Sequence, residues 1–366
     1  MSGGVDSSVT AALLSAKGGS ASGGKERGFD VRGIHIKMWS DPDIPCNFKE
    51  DRYDAMRVAA KLDIPFETWD FTKEYKSEVV EYMIREYAVG RTPNPDVMCN
   101  RHIKFGVFLK RALRQGADFV ATGHYVLKVQ SPKSKVQSLL KAKDGNKDQS
   151  YFLWTLTQEQ LKHCLFPIGE YMKPEVRILA KKFGLPTAEK EESQGICFIG
   201  EINIREFLKK YIPEKRGAVV TASGKIVGEH EGLSFYTMGQ REGLGIGGGI
   251  PYYVAAKDFD NNKLIVGEGP YDKNLFAPEA VATDVNWISG KTPQLPLECE
   301  ARIRYRQPLQ RASIKYQVSS IKGENRPIIH NTKYLIRFAE PQRAVTPGQS
   351  VVFYQGGEML GGGIIV

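Results

Sequence analysis

Two groups of residues in this chain carry the chemistry. The first is Ser2-Gly3-Gly4-Val5-Asp6-Ser7-Ser8, a run of small residues with one carboxylate that leads into the apolar, alanine-rich stretch 9–14. Lacking Cβ atoms, Gly3 and Gly4 let the backbone curl closely around a ligand. The free N–H groups of a first helical turn and the Ser7 and Ser8 hydroxyls then converge on one point. Such a nest at the positive end of a helix is an anion site, and phosphate is the expected anion. The spacing is not Gly-x-x-x-x-Gly-Lys-Ser/Thr, and the loop has no lysine to reach a terminal phosphate.

The second group is an acid and two thiols. Pro93 and Pro95 stiffen the segment Arg91-Thr92-Pro93-Asn94-Pro95-Asp96-Val97-Met98-Cys99-Asn100 and keep helix from forming before it. A helix starting at Asp96 puts Asp96 and Cys99 on one face, with Cys99 near an N-terminus that makes its thiolate more available. The local sequence reads Asp96 equally as a helix cap. Cys197 lies in Glu192-Ser193-Gln194-Gly195-Ile196-Cys197-Phe198-Ile199-Gly200. Its apolar neighbours suit core packing; the flanking glycines suit a loop that moves a thiol. Cys46, Cys164 and Cys299 lack such surroundings and read as structural. With no Cys-x-x-Cys pair or Cys/His cluster, no metal ligand set is expected.

The elements that must position these groups alternate in type. Strands are expected at 30–39, 66–71 and 118–124, and helices at 52–62, 74–87 and 105–115. This pattern implies a doubly wound parallel sheet with ligands at the carboxyl ends of its strands. A Gly/Ser-rich insertion, 17–28, reads as a surface loop. A hairpin is expected over 125–143 and helices over 151–161 and 174–183. After 202 the texture changes to short, glycine-broken strands, a small mostly β central domain over 202–276. Alternating strands follow over 277–366 (298–305, 311–318, 333–338 and 350–354) and suggest an antiparallel β-barrel. The catalytic unit is then 1–201.

Composition narrows the class. With 366 residues, 41% hydrophobic and 25% charged, the chain is long enough for two or three globular domains. No apolar run reaches membrane-spanning length, and no charged-then-apolar signal peptide is expected ahead of the loop, an expectation that a start upstream of Met1 would reopen. A net charge of +9 points to a polyanionic partner. Five irregularly spaced cysteines speak against a secreted disulfide scaffold; a reducing, cytoplasmic setting is expected.

The opening loop resembles the pyrophosphate-binding signature of the ATP pyrophosphatase (PP-loop) superfamily. There the loop follows a buried strand, whereas here it begins at the first residues, so a start upstream of Met1 is expected. Nearly the whole chain resembles the bacterial tRNA-specific 2-thiouridylase family. The likeness runs through 2–8, 90–96, 99–105, 121–125, 147–153, 195–200, 237–241, 304–307 and 346–350. It implies 2-thiolation of the wobble uridine of tRNAs of the Lys, Glu and Gln type, with ATP and Mg²⁺ and with sulfur from a persulfide-donor protein or a cysteine desulfurase. It implies ATP contacts by Ser2, Gly3, Gly4, Val5, Asp6, Ser7, Ser8, Ile36 and Gly123. The family commonly has Met in place of Ile36, a change that a backbone contact to adenine tolerates. Asn94, Pro95 and Asp96 would meet the target base, Cys99 would be the nucleophile and Cys197 the persulfide carrier. His124, Lys147, Asp148, Gln149, Arg304, Tyr305 and Gln349 would contact tRNA. An iron–sulfur cluster on Asp96, Cys99 and Cys197 is an alternative that is not favoured. Two rival readings are another ATP pyrophosphatase on the same loop and a non-catalytic tRNA binder that uses ATP as a switch.

Overall fold

The computed structural model describes residues 1–15, 29–43, 47–131, 135–191, 204–247, 249–317 and 332–366. The expected insertion at 17–28, Cys46 and the Cys197 segment lie outside the described residues, apart from Glu191 and what precedes it.

Helix α1 (Val5–Leu14) follows the opening loop directly. Its apolar face, Val5, Val9, Ala11 and Ala12, packs with Val58 and Leu62 of α2 (Phe48–Leu62) and with Val176 and Ala180 of the helix Lys173–Lys182. Parallel strands lie beside these helices. β1 (Gly33–Lys37) pairs in parallel with β2 (Phe66–Asp70), Ile36 opposite Trp69. β3 (Val120–Ala121) leads to the hairpin of β4 (Val126–Gln130) and β5 (Gln137–Lys141), and then pairs in parallel with β6 (Cys164–Leu165).

The acid–thiol segment begins a helix earlier than 105. Pro95–Met98, a π-wound stretch Cys99–Phe108 and Leu109–Arg114 follow without a break. Pro95 stands at the first turn, where its missing N–H costs nothing. A second π-wound stretch, Lys76–Glu81, interrupts the expected helix over 74–87. Tyr75, Val79, Val80 and Met83 of that helix share a core with Val97, Met98, Ile103 and Phe105. The expected helix over 151–161 is instead a 3₁₀ turn, Ser150–Phe152, and a short helix, Gln158–Lys162. Thr157 and Gln160 form a capping box that starts the latter afresh.

The central sheet contains β7 (Gly217–Thr221), β8 (Ile226–His230), β9 (Tyr252–Asp258) and β10 (Lys263–Glu268) in the order β8-β7-β10-β9. The last strands are β11 (Phe276–Trp287), β12 (Leu297–Arg302), β13 (Gln310–Tyr316), β14 (Tyr334–Arg343), β15 (Ser350–Gln355) and β16 (Glu358–Ile365). They run β11-β14-β13-β12-β15-β16, and β16 pairs back onto β11, closing an antiparallel barrel. Closure removes the free edges an open sheet would leave. Ala282, Ala301, Ile314, Ile336, Val351 and Phe353 fill its interior. The β4–β5 hairpin continues the same sheet, Leu140 opposite Glu358, so the first region is hydrogen-bonded directly to the barrel.

Candidate active site

The opening loop takes the shape its glycines dictate. Gly3 has φ +84°, and a Cβ there would lie 2.3 Å from the Asp51 carbonyl of α2. Gly4 caps α1 with no side-chain acceptor on its first turn. Ser7 and Ser8 donate to the Gly4 carbonyl at 3.1 and 2.8 Å, and Ser2 Oγ lies 3.1 Å from Ser7 Oγ. Val5 is buried beneath. A Cβ on Gly123 would lie 2.9 Å from Asp6 C and Ser7 N, so the end of β3 abuts the loop. Ile36 is half-buried near the end of β1.

Asp6 is held from two sides. Tyr125 donates its hydroxyl to Asp6 Oδ1 at 2.8 Å, and Lys173 Nζ lies 2.8 and 2.9 Å from the two carboxylate oxygens. The loop's own sequence has no lysine; the fold brings one from residue 173. Its signal in the sequence was Pro174 after a lysine at a helix start, too common a pattern to single out. Gln149 pairs with the Tyr125 backbone in both directions, at 3.0 and 2.9 Å, and so steadies the tyrosine.

The second group shares a wall with the first. Asn94, rather than Asp96, caps the helix: its Oδ1 accepts from Val97 N at 3.3 Å. Asp96 is therefore released from the capping role and stands in the first turn as an exposed residue among buried neighbours. Burial of its carboxyl raises the pKa, and the charge of Lys104 opposes the rise. Cys99 is buried and lies beyond that first turn, so the helix end favours its thiolate less than a start at Asp96 would have done. Burial, with Lys104 again nearby, holds the pKa of His124 well below the ordinary histidine value. His124 packs against Phe105 and Phe166 and meets Thr122 Oγ1 at 2.8 Å. Lys104 thus acts through its charge on both Asp96 and His124, the residue that follows Gly123. It belongs to the same sequence run as Cys99, but nothing in the sequence distinguished it from a surface lysine.

The residues that the resemblance implies for tRNA fall into two kinds. Asp148 is 2% exposed, accepts from Ala142 N, Ser150 N and Ser150 Oγ, and faces Arg302 Nη1 at 3.4 Å. Like His124, it is inside the protein as the structure stands. Arg304 donates to Met238 O at 2.8 Å and Ala344 O at 3.2 Å, tying the central region to the barrel. Gln349 Nε2 donates to Thr92 O and Pro93 O at 2.9 and 3.1 Å. Lys147 and Tyr305 are half-buried, the latter with its ring 4.5 Å from Phe152. Cys197 lies outside the described residues.

Of the ligand set considered for a cluster, the described residues include Asp96 and Cys99. Among the described residues no group of three His, Cys, Asp or Glu side chains is placed to hold a metal ion. Among them also, no helix is long and apolar enough to cross a membrane.

Comparison with known proteins identifies three matching models. Residues 1–201 match the tRNA methyl transferase HUP domain, 205–268 the tRNA methyl transferase PRC-barrel domain and 278–365 the aminomethyltransferase beta-barrel domain. The chain is 47% identical over 372 aligned residues to the tRNA-specific 2-thiouridylase MnmA of Streptococcus thermophilus (strain CNRZ 1066), covering 100% of this chain and 93% of the relative. The same identity and coverage relate it to the tRNA-specific 2-thiouridylase MnmA of Streptococcus sanguinis (strain SK36).

Proposed function

Since this chain belongs to the tRNA-specific 2-thiouridylase family, we propose that it is a sulfurtransferase that converts the wobble uridine of tRNA to 2-thiouridine with ATP. The observation that carries the reading is the shared wall: Gly123 against the phosphate loop, and the neighbouring His124 ring against Phe105 of the helix that carries Asp96 and Cys99. An activated phosphate and a base-binding acid–thiol pair then sit on neighbouring surfaces.

A uracil 2-carbonyl is a weak electrophile with no leaving group. Attack of its oxygen on the α-phosphorus of ATP forms an O–P bond and expels pyrophosphate, leaving an adenylated C2. The loop 2–8 and Gly123 bind the nucleotide, and Lys173 supplies the cation that the loop lacks. Asp6 is the loop's own carboxylate. Mg²⁺ would be held by Asp6 with the substrate phosphates, as it usually is by one or two carboxylates, and would supply charge neutralisation of the pyrophosphate. Asp96, with its raised pKa, holds or removes the proton at N3 of the base. Asn94 and Pro95 shape the base pocket, and the target nucleotide is turned out of the anticodon stack to reach it.

Sulfur arrives on Cys197 as a persulfide from a donor protein or a cysteine desulfurase. Its terminal sulfur bonds to C2, the C–O bond breaks and AMP leaves. Cys99 attacks the inner sulfur of Cys197 to free the transferred sulfur, leaving a Cys99–Cys197 disulfide that an external thiol must reduce. The surface for tRNA spans Lys147, Gln149, Arg304, Tyr305 and Gln349, and the setting is the cytoplasm.

Incubation with undermodified tRNA, ATP, Mg²⁺ and a persulfide source, followed by nucleoside mass spectrometry, tests this directly. 2-Thiouridine at position 34 with release of AMP and pyrophosphate is expected. Pyrophosphate release with no thiolated base would overturn the reading and favour another ATP pyrophosphatase.

A further inference from the structure

The segment that leads into Asp96 is held from outside its own domain by several hydrogen bonds. Lys257 Nζ of β9 donates to Gly90 O at 2.8 Å. Thr92 N donates to Pro347 O at 2.8 Å, and Gln349 Nε2 reaches Thr92 O and Pro93 O. Thr237 Oγ1 meets Thr92 Oγ1 at 3.2 Å. The fit is close at both ends. A Cβ on Gly90 would lie 2.0 Å from the Phe259 ring, and one on Gly348 would lie 2.8 Å from Thr92 O. Central sheet and barrel therefore grip four main-chain groups within 90–93.

Two properties make this grip more than packing. Pro93 and Pro95 leave the segment few backbone freedoms, so a displacement at Thr92 passes to Asn94, whose side chain starts the helix carrying Asp96 and Cys99. The grip also has a cost: burial lowers the pKa of Lys257 to about 8. A half-buried ammonium donating to a backbone carbonyl is a poor choice for stability alone.

We propose that the segment 90–94 is a latch through which the central sheet and barrel set the position of Asp96 and Cys99, with Lys257 and Gln349 as its positioning residues. The inference rests on the proposed function for its consequence in catalysis, since the barrel, one of the two gripping units, carries Arg304, Tyr305 and Gln349 of the proposed tRNA surface. Docking of tRNA on the barrel then fixes the acid and the thiol relative to the flipped base.

The test uses the full chain with Lys257→Met, Lys257→Gln and Gln349→Ala. Two readouts are needed, one of them independent of the reaction. In the absence of tRNA, iodoacetamide labelling of Cys99, followed by peptide mass spectrometry, is expected to quicken by at least about fivefold in Lys257→Met and Gln349→Ala, as local opening rises. Lys257→Gln keeps a donor for Gly90 O and is expected to return labelling towards wild type. In single-turnover thiolation at saturating tRNA and ATP, Lys257→Met is expected to be about tenfold to a hundredfold slower, with the tRNA and ATP dissociation constants within twofold of wild type. Its melting temperature is expected to hold or rise, because no ammonium is left to bury. Unchanged Cys99 labelling in both truncations overturns the latch, even if the protein is an active thiouridylase. A melting temperature that falls with the rate would reduce Lys257 to a structural residue and overturns it equally. Wild-type protein that makes no 2-thiouridine, while the labelling behaves as stated, leaves the latch standing and removes the proposed function.

Discussion

Replacing Lys173 by methionine isolates the charge that the fold adds to the phosphate loop. The ammonium lies 2.8 and 2.9 Å from the Asp6 oxygens, and the side chains of Lys173 and Asp6 are 11% and 33% exposed. Methionine matches the stem in length and leaves Asp6 with the Tyr125 hydroxyl. When nucleotide binds, the ammonium can turn from Asp6 to a phosphate oxygen, and a charge-assisted hydrogen bond is worth about 1.5–3 kcal/mol. At about 1.4 kcal/mol per decade, the variant should bind ATP about 10- to 150-fold more weakly. Isothermal titration with an analogue that cannot be cleaved between the α and β phosphates, without tRNA, reads this number free of turnover. Lys173→Arg, which keeps the charge, should recover most of the affinity. The far-ultraviolet circular dichroism of all three proteins should coincide. A dissociation constant for Lys173→Met within twofold of wild type, on folded protein, would refute the assignment and leave Lys173 as a structural partner of Asp6.

Cys197→Ser should abolish 2-thiouridine formation while the tRNA dissociation constant stays unchanged; thiolation at the wild-type rate would end the persulfide assignment. Asp96→Ala should lose turnover and keep ATP affinity, and the wild-type rate should rise with pH through a carboxyl pKa lifted above the ordinary range by burial. Between the ordinary and the lifted value the folded protein binds more protons than the unfolded chain, so its stability falls as pH rises there; Asp96→Asn should remove that slope. Asp148→Ala strips the partner from buried Arg302 and should destabilise the barrel junction by about 3–5 kcal/mol. The same variant should leave the salt dependence of tRNA binding unchanged, whereas losing a true phosphate contact lowers the slope of log affinity on log salt by about 0.7–0.9.

The parts legible in the sequence were those written in local chemistry. Gly3 and Gly4 announce a curled loop, and Gly3 does adopt a positive φ against the Asp51 carbonyl. Asp96 and Cys99 share a helix as their spacing requires. Where the reading slipped, a local signal had been overridden. Asn94 took the cap because Pro95 fits the first turn, which moved the helix start and freed Asp96. The barrel strands β11 and β16 were missed because Pro278 and the run Gly361-Gly362-Gly363 hide their alternation. Those glycines are needed because a Cβ on Gly361 would lie 2.1 Å from Asn286 O in the neighbouring strand. Closure of the barrel is a long-range fact with no short-range trace.

The long-range contacts also change what the implied tRNA residues mean. Gln349, Arg304 and Asp148 carry hydrogen bonds that join one unit to another: barrel to the 92–93 backbone, barrel to central sheet, and hairpin to barrel. Each can affect binding or rate without touching RNA, because each fixes where a neighbouring unit stands. Lys147 and Tyr305 are half-buried and have surface left to meet a backbone or a base. The chain is basic overall, with +9 net charge, so nonspecific attraction to RNA needs no special residues. What the internal network adds is geometry. It converts docking on three separate units into one placement of Asp96 and Cys99, and in a reaction between a flipped base and a nucleotide on a neighbouring wall, placement is the quantity that limits the rate.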